Sequence, residues 1–398
     1  MISLSALSAV AFSAPLMVSL TVSAEPQPQT KPEELRARYV FSIDLDGDGA
    51  DELLRVSAEQ LSAHKVSGGE LSPALWEVKG PGQAHLIKPW RSARGLSLLV
   101  LWGMGPGMLK APLSLTELRP QSGEQRLLWR HEGSRSQAVH LDVTEQAGGA
   151  QIRLAHFTSK YQTRSVSLSG AVLSEAWAAQ GPEALAATPK LKLNERVSRE
   201  LRMGTSWAYA DLDGDGQEEE VVGRVYGDKK GEFGELSLYR SAQPEPTVLP
   251  TERGVKAVYW ARWGGDEGQG AIYFSDGWVA EYGKRAHARL KRLRWREGRP
   301  TVELLAASSD DFTFFELWTH PRPAATGEGR ELLFARGNKG IYLITPQPEG
   351  PWGVERLSKL PPVVNSALLY AEGAWWVAIP APRGPLRLER LTHPALPQ

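Results

Sequence analysis

Asp44-Leu45-Asp46-Gly47-Asp48-Gly49 and Asp211-Leu212-Asp213-Gly214-Asp215-Gly216 are the same six residues met twice in one chain. Three carboxylates stand on alternate positions, with glycines between and after them. Each copy follows a short apolar run, Tyr39-Val40-Phe41-Ser42-Ile43 in the first and Trp207-Ala208-Tyr209-Ala210 in the second. Each is followed by acids and then aliphatics, Ala50-Asp51-Glu52-Leu53-Leu54 and Gln217-Glu218-Glu219-Glu220-Val221-Val222. Each hexapeptide is therefore expected to be a loop joining two strands.

The spacing has a physical reason. Calcium takes six to eight hard oxygen ligands at about 2.3–2.6 Å. A tightly curled loop can aim its residues 1, 3 and 5 at one centre, and residue 7 can add its backbone carbonyl. That assigns Asp44, Asp46, Asp48 and the carbonyl of Ala50 in the first loop. It assigns Asp211, Asp213, Asp215 and the carbonyl of Gln217 in the second. Glu52 and Glu219, at position 9, are the acids placed to close each shell. Gly47, Gly49, Gly214 and Gly216 permit the positive φ that such a curl needs. A solvated Asp/Gly turn is the plain alternative, but repetition with the same flanks favours calcium, about two ions per chain. The EF-hand is excluded, because it needs a bidentate Glu at position 12 and helices on both sides. Position 12 is Arg55 in one copy and Val222 in the other, and the flanks are β-like. A paired dockerin-type module brings its two loops close in sequence, whereas these start 167 residues apart.

Asp-Leu-Asp-Gly-Asp-Gly, two residues, an acid and then aliphatics resembles the FG-GAP or VCBS repeat. That repeat builds the β-propellers of integrin alpha subunits and of many bacterial secreted proteins. The resemblance implies ligands at loop positions 1, 3, 5, 7 and 9, the residues just named. The family usually has Asp at position 9; both copies here have Glu. The resemblance also implies an exported, non-enzymatic module that presents a surface to a partner, with its calcium loops on the opposite face.

Weaker repeats carry the rest of the chain. Val221-Val222-Gly223-Arg224-Val225-Tyr226 leads to a polar turn and then Glu235-Leu236-Ser237-Leu238-Tyr239. The stretch from Gly329 to Ile344 repeats this plan without the acids, and Gly268 to Tyr282 gives a third version. Leu98 to Leu101, Ala138 to Val143, Ile152 to His156 and Trp375 to Ile379 read as further strands. Short strands between Gly-rich turns argue an all-β chain. Units of about 53 residues, near the range for four-stranded blades, argue a seven-bladed β-propeller. The domain is expected to span 37–396, with a helical insertion or linker near 174–202.

Fourteen tryptophans is a heavy load for 398 residues. Core packing between blades is the reading for Trp207, Trp260, Trp278 and Trp318, since each ring buries a large area; a sugar-stacking platform is the alternative. Trp375 and Trp376 are neighbours on a strand and must face opposite sides. One of the two is expected to be exposed or at an interface.

Residues 2–22 are apolar and Ser-rich and end in Val22-Ser23-Ala24, which suits a signal peptide over 1–24 cleaved after Ala24. No Lys or Arg precedes the apolar stretch, a departure from the usual signal. Residues 25–36, rich in Pro and Gln, read as a leader. A secreted or periplasmic location follows, and no later segment is apolar enough to span a bilayer. Cysteine is absent, which excludes disulfides, thiolate metal sites and a Cys nucleophile. Net charge is zero, so nothing draws the chain toward nucleic acid. The local exception is Lys284 to Arg296, with Arg285, His287, Arg289 and Lys291 on alternate positions. It reads as a charged outer strand that blocks edge pairing, or as a stripe for an acidic polysaccharide.

No catalytic motif is present: there is no HExxH, no G-x-S-x-G and no Walker loop. Gly103 to Met108 is glycine-rich but carries Pro106 and reads as a turn. Acids such as Asp310 and Asp311 could pair across a propeller channel as a glycosidase requires. The sequence thus favours a monomeric calcium-binding propeller that serves as an interaction or envelope scaffold, its protein or glycan partner docking on a propeller face. A glycan-binding lectin is the first alternative and a polysaccharide hydrolase or lyase the second.

Overall fold

A computed structural model describes residues 39–57, 60–92, 95–103, 113–121, 123–131, 137–146, 149–157, 163–169, 192–198, 203–228, 231–240, 243, 245–249, 251, 254–261, 270–277, 288–307, 314–320, 332–337, 340–347, 350–358, 366–380, 386–394 and 396. The expected signal peptide and leader, 1–24 and 25–36, lie outside these ranges. Every element described is a strand.

The first sheet is β1 (Tyr39–Ile43), β2 (Glu52–Ser57), β3 (Gln60–His64) and β6 (Trp76–Lys79), with a small ribbon of β4 (Val66–Ser67) and β5 (Glu70–Leu71) inserted before β6. The second is β7 (Gln83–Ser92), β8 (Gly95–Gly103), β9 (Leu113–Leu118) and β10 (Gln125–His131). The third is β11 (Gln137–Gln146), β12 (Gly149–Phe157), β13 (Thr163–Ser169) and β14 (Lys192–Ser198). The fourth is β15 (Met203–Ala210), β16 (Glu219–Asp228), β17 (Gly231–Tyr239) and β18 (Thr247–Leu249). The fifth is β19 (Gly254–Ala261), β20 (Ala271–Gly277), β21 (Ala288–Arg296) and β22 (Arg299–Ala307). The sixth is β23 (Phe314–His320), β24 (Leu332–Gly337), β25 (Gly340–Thr345) and β26 (Gly353–Arg356). A last sheet holds β27 (Ala367–Ala371), β28 (Ala374–Ile379) and β29 (Arg387–Leu391).

Each sheet is an antiparallel meander, and the sheets pack face to face in chain order. Strand alternation gives every sheet two apolar faces, and each face is covered by a neighbour. Leu54 and Leu61 of the first sheet share a core with Leu98 and Trp102 of the second. Leu99 and Leu115 then meet Leu141 and Ile152 of the third. His140 packs on Trp207 and Tyr209 of the fourth at 5.4 and 5.9 Å. Val221 and Leu236 meet Ile272 and Phe274 of the fifth, and Tyr273 meets Leu333 and Tyr342 of the sixth. Phe334 and Ile341 pack on Leu368 and Trp375 of the last sheet. Finally Leu369 and Ala378 pack on Val40 and Leu53 of the first, which closes a ring. This is a β-propeller.

The expected count of seven blades is corrected. Six sheets are complete four-stranded blades, and the segment from Ala367 to Leu391 supplies three strands among the described residues. Dividing the chain evenly treats every unit as alike, whereas among the described residues the last sheet has three strands. The stretch expected as a helical insertion or linker is also revised in part. Lys192–Ser198 is β14, the outer strand of the third blade, paired along its whole length with β13. Residues 170–191 and 199–202 of that stretch lie outside the described residues.

Ring closure uses a polar node as well as the apolar seam. Asp51 donates its backbone N–H to the Tyr370 carbonyl at 2.7 Å, and its carboxylate accepts from Tyr370 N at 2.8 Å. The same Oδ2 lies 2.8 Å from His320 Nε2. One buried carboxylate therefore ties the first sheet to both the sixth and the last.

Candidate metal centre

The two acidic loops occupy the same place in their sheets. Ile43 is the partner of Glu52 in the β1–β2 ladder, and Ala210 is the partner of Glu219 in the β15–β16 ladder. In both, the residue before position 1 faces position 9, so eight residues turn between them. Both loops follow the first strand of a meander. In a ring of such meanders the first strands run in one direction, so the two loops emerge on one face of the propeller.

The internal wiring is the same. Gly47 N donates to Asp44 Oδ1 at 2.6 Å, and Gly214 N to Asp211 Oδ1 at 2.8 Å. Asp48 N donates to Asp46 at 3.1 Å, and Asp215 N to Asp213 at 3.2 Å. Ala50 N and Gln217 N donate to Asp48 and Asp215, both at 2.8 Å. Asp side chains commonly cap their own backbone two residues on. The curl needs left-handed residues, and φ is 83° and 87° at Gly47 and Gly49, 78° and 85° at Gly214 and Gly216.

Glu52 and Glu219 are buried, held by the strand ladder beneath each loop. Glu52 Oε2 accepts from Leu45 N at 2.8 Å, and Glu219 Oε2 from Leu212 N at 2.7 Å. Burial raises the pKa of both carboxyls above the usual range, opposed in each by that backbone hydrogen bond. The extra methylene of Glu relative to Asp lets a residue fixed in the ladder reach the second position of the loop.

Carboxylate oxygens of Asp44, Asp46 and Asp48 lie within 4.8 Å of one another, as do those of Asp211, Asp213 and Glu219. Among the described residues these are the two places where three metal-capable side chains gather. The donors are all hard oxygens, the chemistry that suits calcium. The structure thus brings together positions 1, 3 and 5 in the first loop and 1, 3 and 9 in the second. Glu52 is not gathered with the first group nor Asp215 with the second, and Ala50 and Gln217 enter through their backbone N–H groups, which donate to Asp48 and Asp215.

Two basic residues join these loops from outside the motif. Lys65 Nζ lies 2.7 Å from Asp46 Oδ2, 3.4 Å from Asp48 Oδ2 and 3.5 Å from Glu52 Oε1. Its hydrogen bond lowers the Asp46 pKa, and the lysine's own pKa is raised in return. In the second loop Arg240 pairs with Asp213, and its guanidinium lies over Trp295, 4.9 Å from the ring centroid. Leu53 pairs with His64 and Glu220 with Tyr239, so Lys65 and Arg240 each stand one step further, beside the position-9 acid. The sequence offset from that acid differs between the loops because the intervening hairpins differ in length. No fixed spacing could have revealed the pair.

β21 is an interior strand between β20 and β22, so the charged stretch is not the edge strand expected. Lys291 is buried 2.6 Å from Asp276, and Arg292 is 2.7 Å from Glu303. Those charges are matched within the sheet; Lys284 to His287 lie outside the described residues. Trp207 is buried, and Trp260 and Trp318 are partly buried against inter-sheet cores. Trp375 faces the sixth blade while Trp376 faces the first, its indole N–H donating to Ala371 O at 3.1 Å. Trp278, Asp310, Asp311 and residues 104–108 lie outside the described residues. Among the described residues no helix is long and apolar enough to cross a membrane.

No protein-family model matches the chain, and no curated protein matches it. Solved structures do. The complex of BBS1N with ARL6DN aligns at TM-score 0.50 and 12% identity, over 91% of this chain and 94% of that one. Sqt1 of Saccharomyces cerevisiae aligns at 0.45 and 10% identity, over 86% and 82%. The β-propeller domain of the Trilobed protease of Pyrococcus furiosus aligns at 0.42 and 8% identity, over 89% and 94%. The likeness to the first shows a shared fold and nothing further.

Proposed function

We propose that the chain is an exported, calcium-stabilised β-propeller that serves as a non-enzymatic interaction scaffold. The observation that carries this reading is the duplicated loop. Two hexapeptides far apart in sequence close with the same hydrogen bonds, at the same ladder register, on the same face. Each gathers carboxylates that would repel one another without a cation. The face opposite the loops is the surface we assign to a protein partner. The fold suits the role: BBS1N, which shares it, was crystallised in complex with ARL6DN. The apolar, small-residue ending at Ala24 supports export, where calcium is abundant enough to load weak sites.

In this reading Asp211, Asp213 and Glu219 would hold one ion, with Asp215 and the Gln217 carbonyl completing the shell. Calcium would supply positive charge that offsets the carboxylates. The chain's own part is to hold the oxygens in place. Glu219 is fixed by its ladder and by Leu212 N–H, and the glycines keep the backbone in its left-handed curl.

Thermal melts in millimolar calcium and in chelator, with direct ion counting, test the proposal. A cation bound only by the native state must raise the melting temperature. Asp213→Ala should abolish most of the calcium-dependent rise, and because it also removes the partner of Arg240, its chelator melt should lie below that of wild type. No bound ion and no rise would reduce the loops to acidic turns. Pull-down from the periplasm or medium of the producing cell, repeated with the loop face and the opposite face substituted in turn, locates the partner surface.

A further inference from the structure

The two loops share a backbone but differ in where their basic residue goes. In the first, the Lys65 ammonium stands against three of the acids a divalent ion would use, Asp46, Asp48 and Glu52. In the second, Arg240 engages one of them, Asp213, and its guanidinium also lies over the Trp295 ring. An ammonium is a compact point charge with three donors on a flexible stem, suited to several carboxylates at once. A guanidinium is planar and holds to aromatic faces.

We infer that Lys65 is a built-in cation that takes the place of the metal in the first loop, so that the propeller has one divalent site, not two. The first loop keeps its fold in the absence of metal because its carboxylates are already offset. A calcium ion entering there must displace the ammonium from Asp46 and leave two positive centres side by side. Among the described residues the second loop has no such ammonium at Glu219, whose carboxylate gathers with Asp211 and Asp213. Only the ion count in this inference rests on the calcium reading above; the role of Lys65 does not.

The test compares the full chain with its Lys65→Met variant, using calcium chloride as the probe. Isothermal titration should show one site in the wild type, removed by Asp213→Ala and kept in Asp46→Ala. Lys65→Met should gain a second site, with loop-one affinity raised about tenfold or more, the scale expected from removing a unit charge at contact distance from a divalent ion in water. In chelator, Lys65→Met should melt below wild type, since its carboxylates then lack a counter-charge, and calcium should restore it. Two equal sites in the wild type that Lys65→Met leaves unchanged would overturn the inference. So would a Lys65→Met chain that melts like wild type in chelator. Absence of any bound ion, with Lys65→Met still destabilised in chelator, would sink the calcium proposal and leave Lys65 as the loop's internal cation.

Discussion

Replacing Asp51 by alanine should loosen the seam at which the ring closes. The Asp51 carboxylate is buried and accepts from Tyr370 N–H and from His320, both at 2.8 Å. Hydrogen bonds to a charged acceptor contribute roughly 1.5–3 kcal/mol each, and a buried donor left without a partner adds a further cost of about 1–3 kcal/mol. Part of that loss is recovered if water reaches the cut. Asp51→Ala should therefore cost about 3–5 kcal/mol. Asp51→Asn keeps one acceptor oxygen and should cost roughly half as much. The backbone bond from Asp51 N to Tyr370 O survives in both variants and keeps the seam in register. Urea unfolding followed by tryptophan fluorescence reads the total, and Trp375 is a local reporter because its ring lies 4.8 Å from that of His320. Amide exchange gives the location: protection should fall first at Tyr370 and along β1 and β27, before the interfaces between the second and third blades respond. If Asp51→Ala unfolded within about 0.5 kcal/mol of wild type, or if exchange rose evenly round the ring, the node would not be what fastens the closure.

Further outcomes can be checked on the same chain. Glu117 is fully buried, with Arg126 at 2.6 Å and Ser97 Oγ at 2.8 Å, so Glu117→Ala breaks a buried ion pair from one side and should cost about 3–5 kcal/mol in urea. A Cβ added at Gly80 would come to 2.1 Å of the Trp102 ring, so Gly80→Ala should cost about 1–3 kcal/mol by overpacking. Burial pushes the His140 pKa down to about 4 from an unfolded value of 6.5. Between those values the unfolded chain binds more protons, so stability should be full above pH 6.5 and fall as the pH drops toward 4. His140→Phe should flatten that acid-side slope in melts taken from about pH 7 to about pH 4, and an unchanged slope would place the titration elsewhere.

Local chemistry makes part of this protein legible from its sequence alone. Alternating carboxylates with glycines at fixed places name a curled loop whatever surrounds it, because the curl is held by hydrogen bonds only two to five residues long. Short continuous apolar runs such as Leu98 to Leu101 and Trp375 to Ile379 name buried strands for the same local reason, and the opposite facing of Trp375 and Trp376 follows from the pleat. The count of complete blades does not follow, since it depends on which strands find a neighbour. Lys192–Ser198 has the composition of a linker, and pairing with β13 makes it an outer strand. The charged run at β21 has the composition of an edge, and β22 covers it. Lys65 and Arg240 reach the acidic loops from the adjacent hairpin strand, and Asp51 reaches Tyr370 across 319 residues. Those contacts are set by ladder register and by the closing of the ring. They join side chains whose separation along the chain carries no periodicity, so the one-dimensional pattern decided the loops and strands, and the tertiary fold decided what neutralises the loops and what fastens the ring.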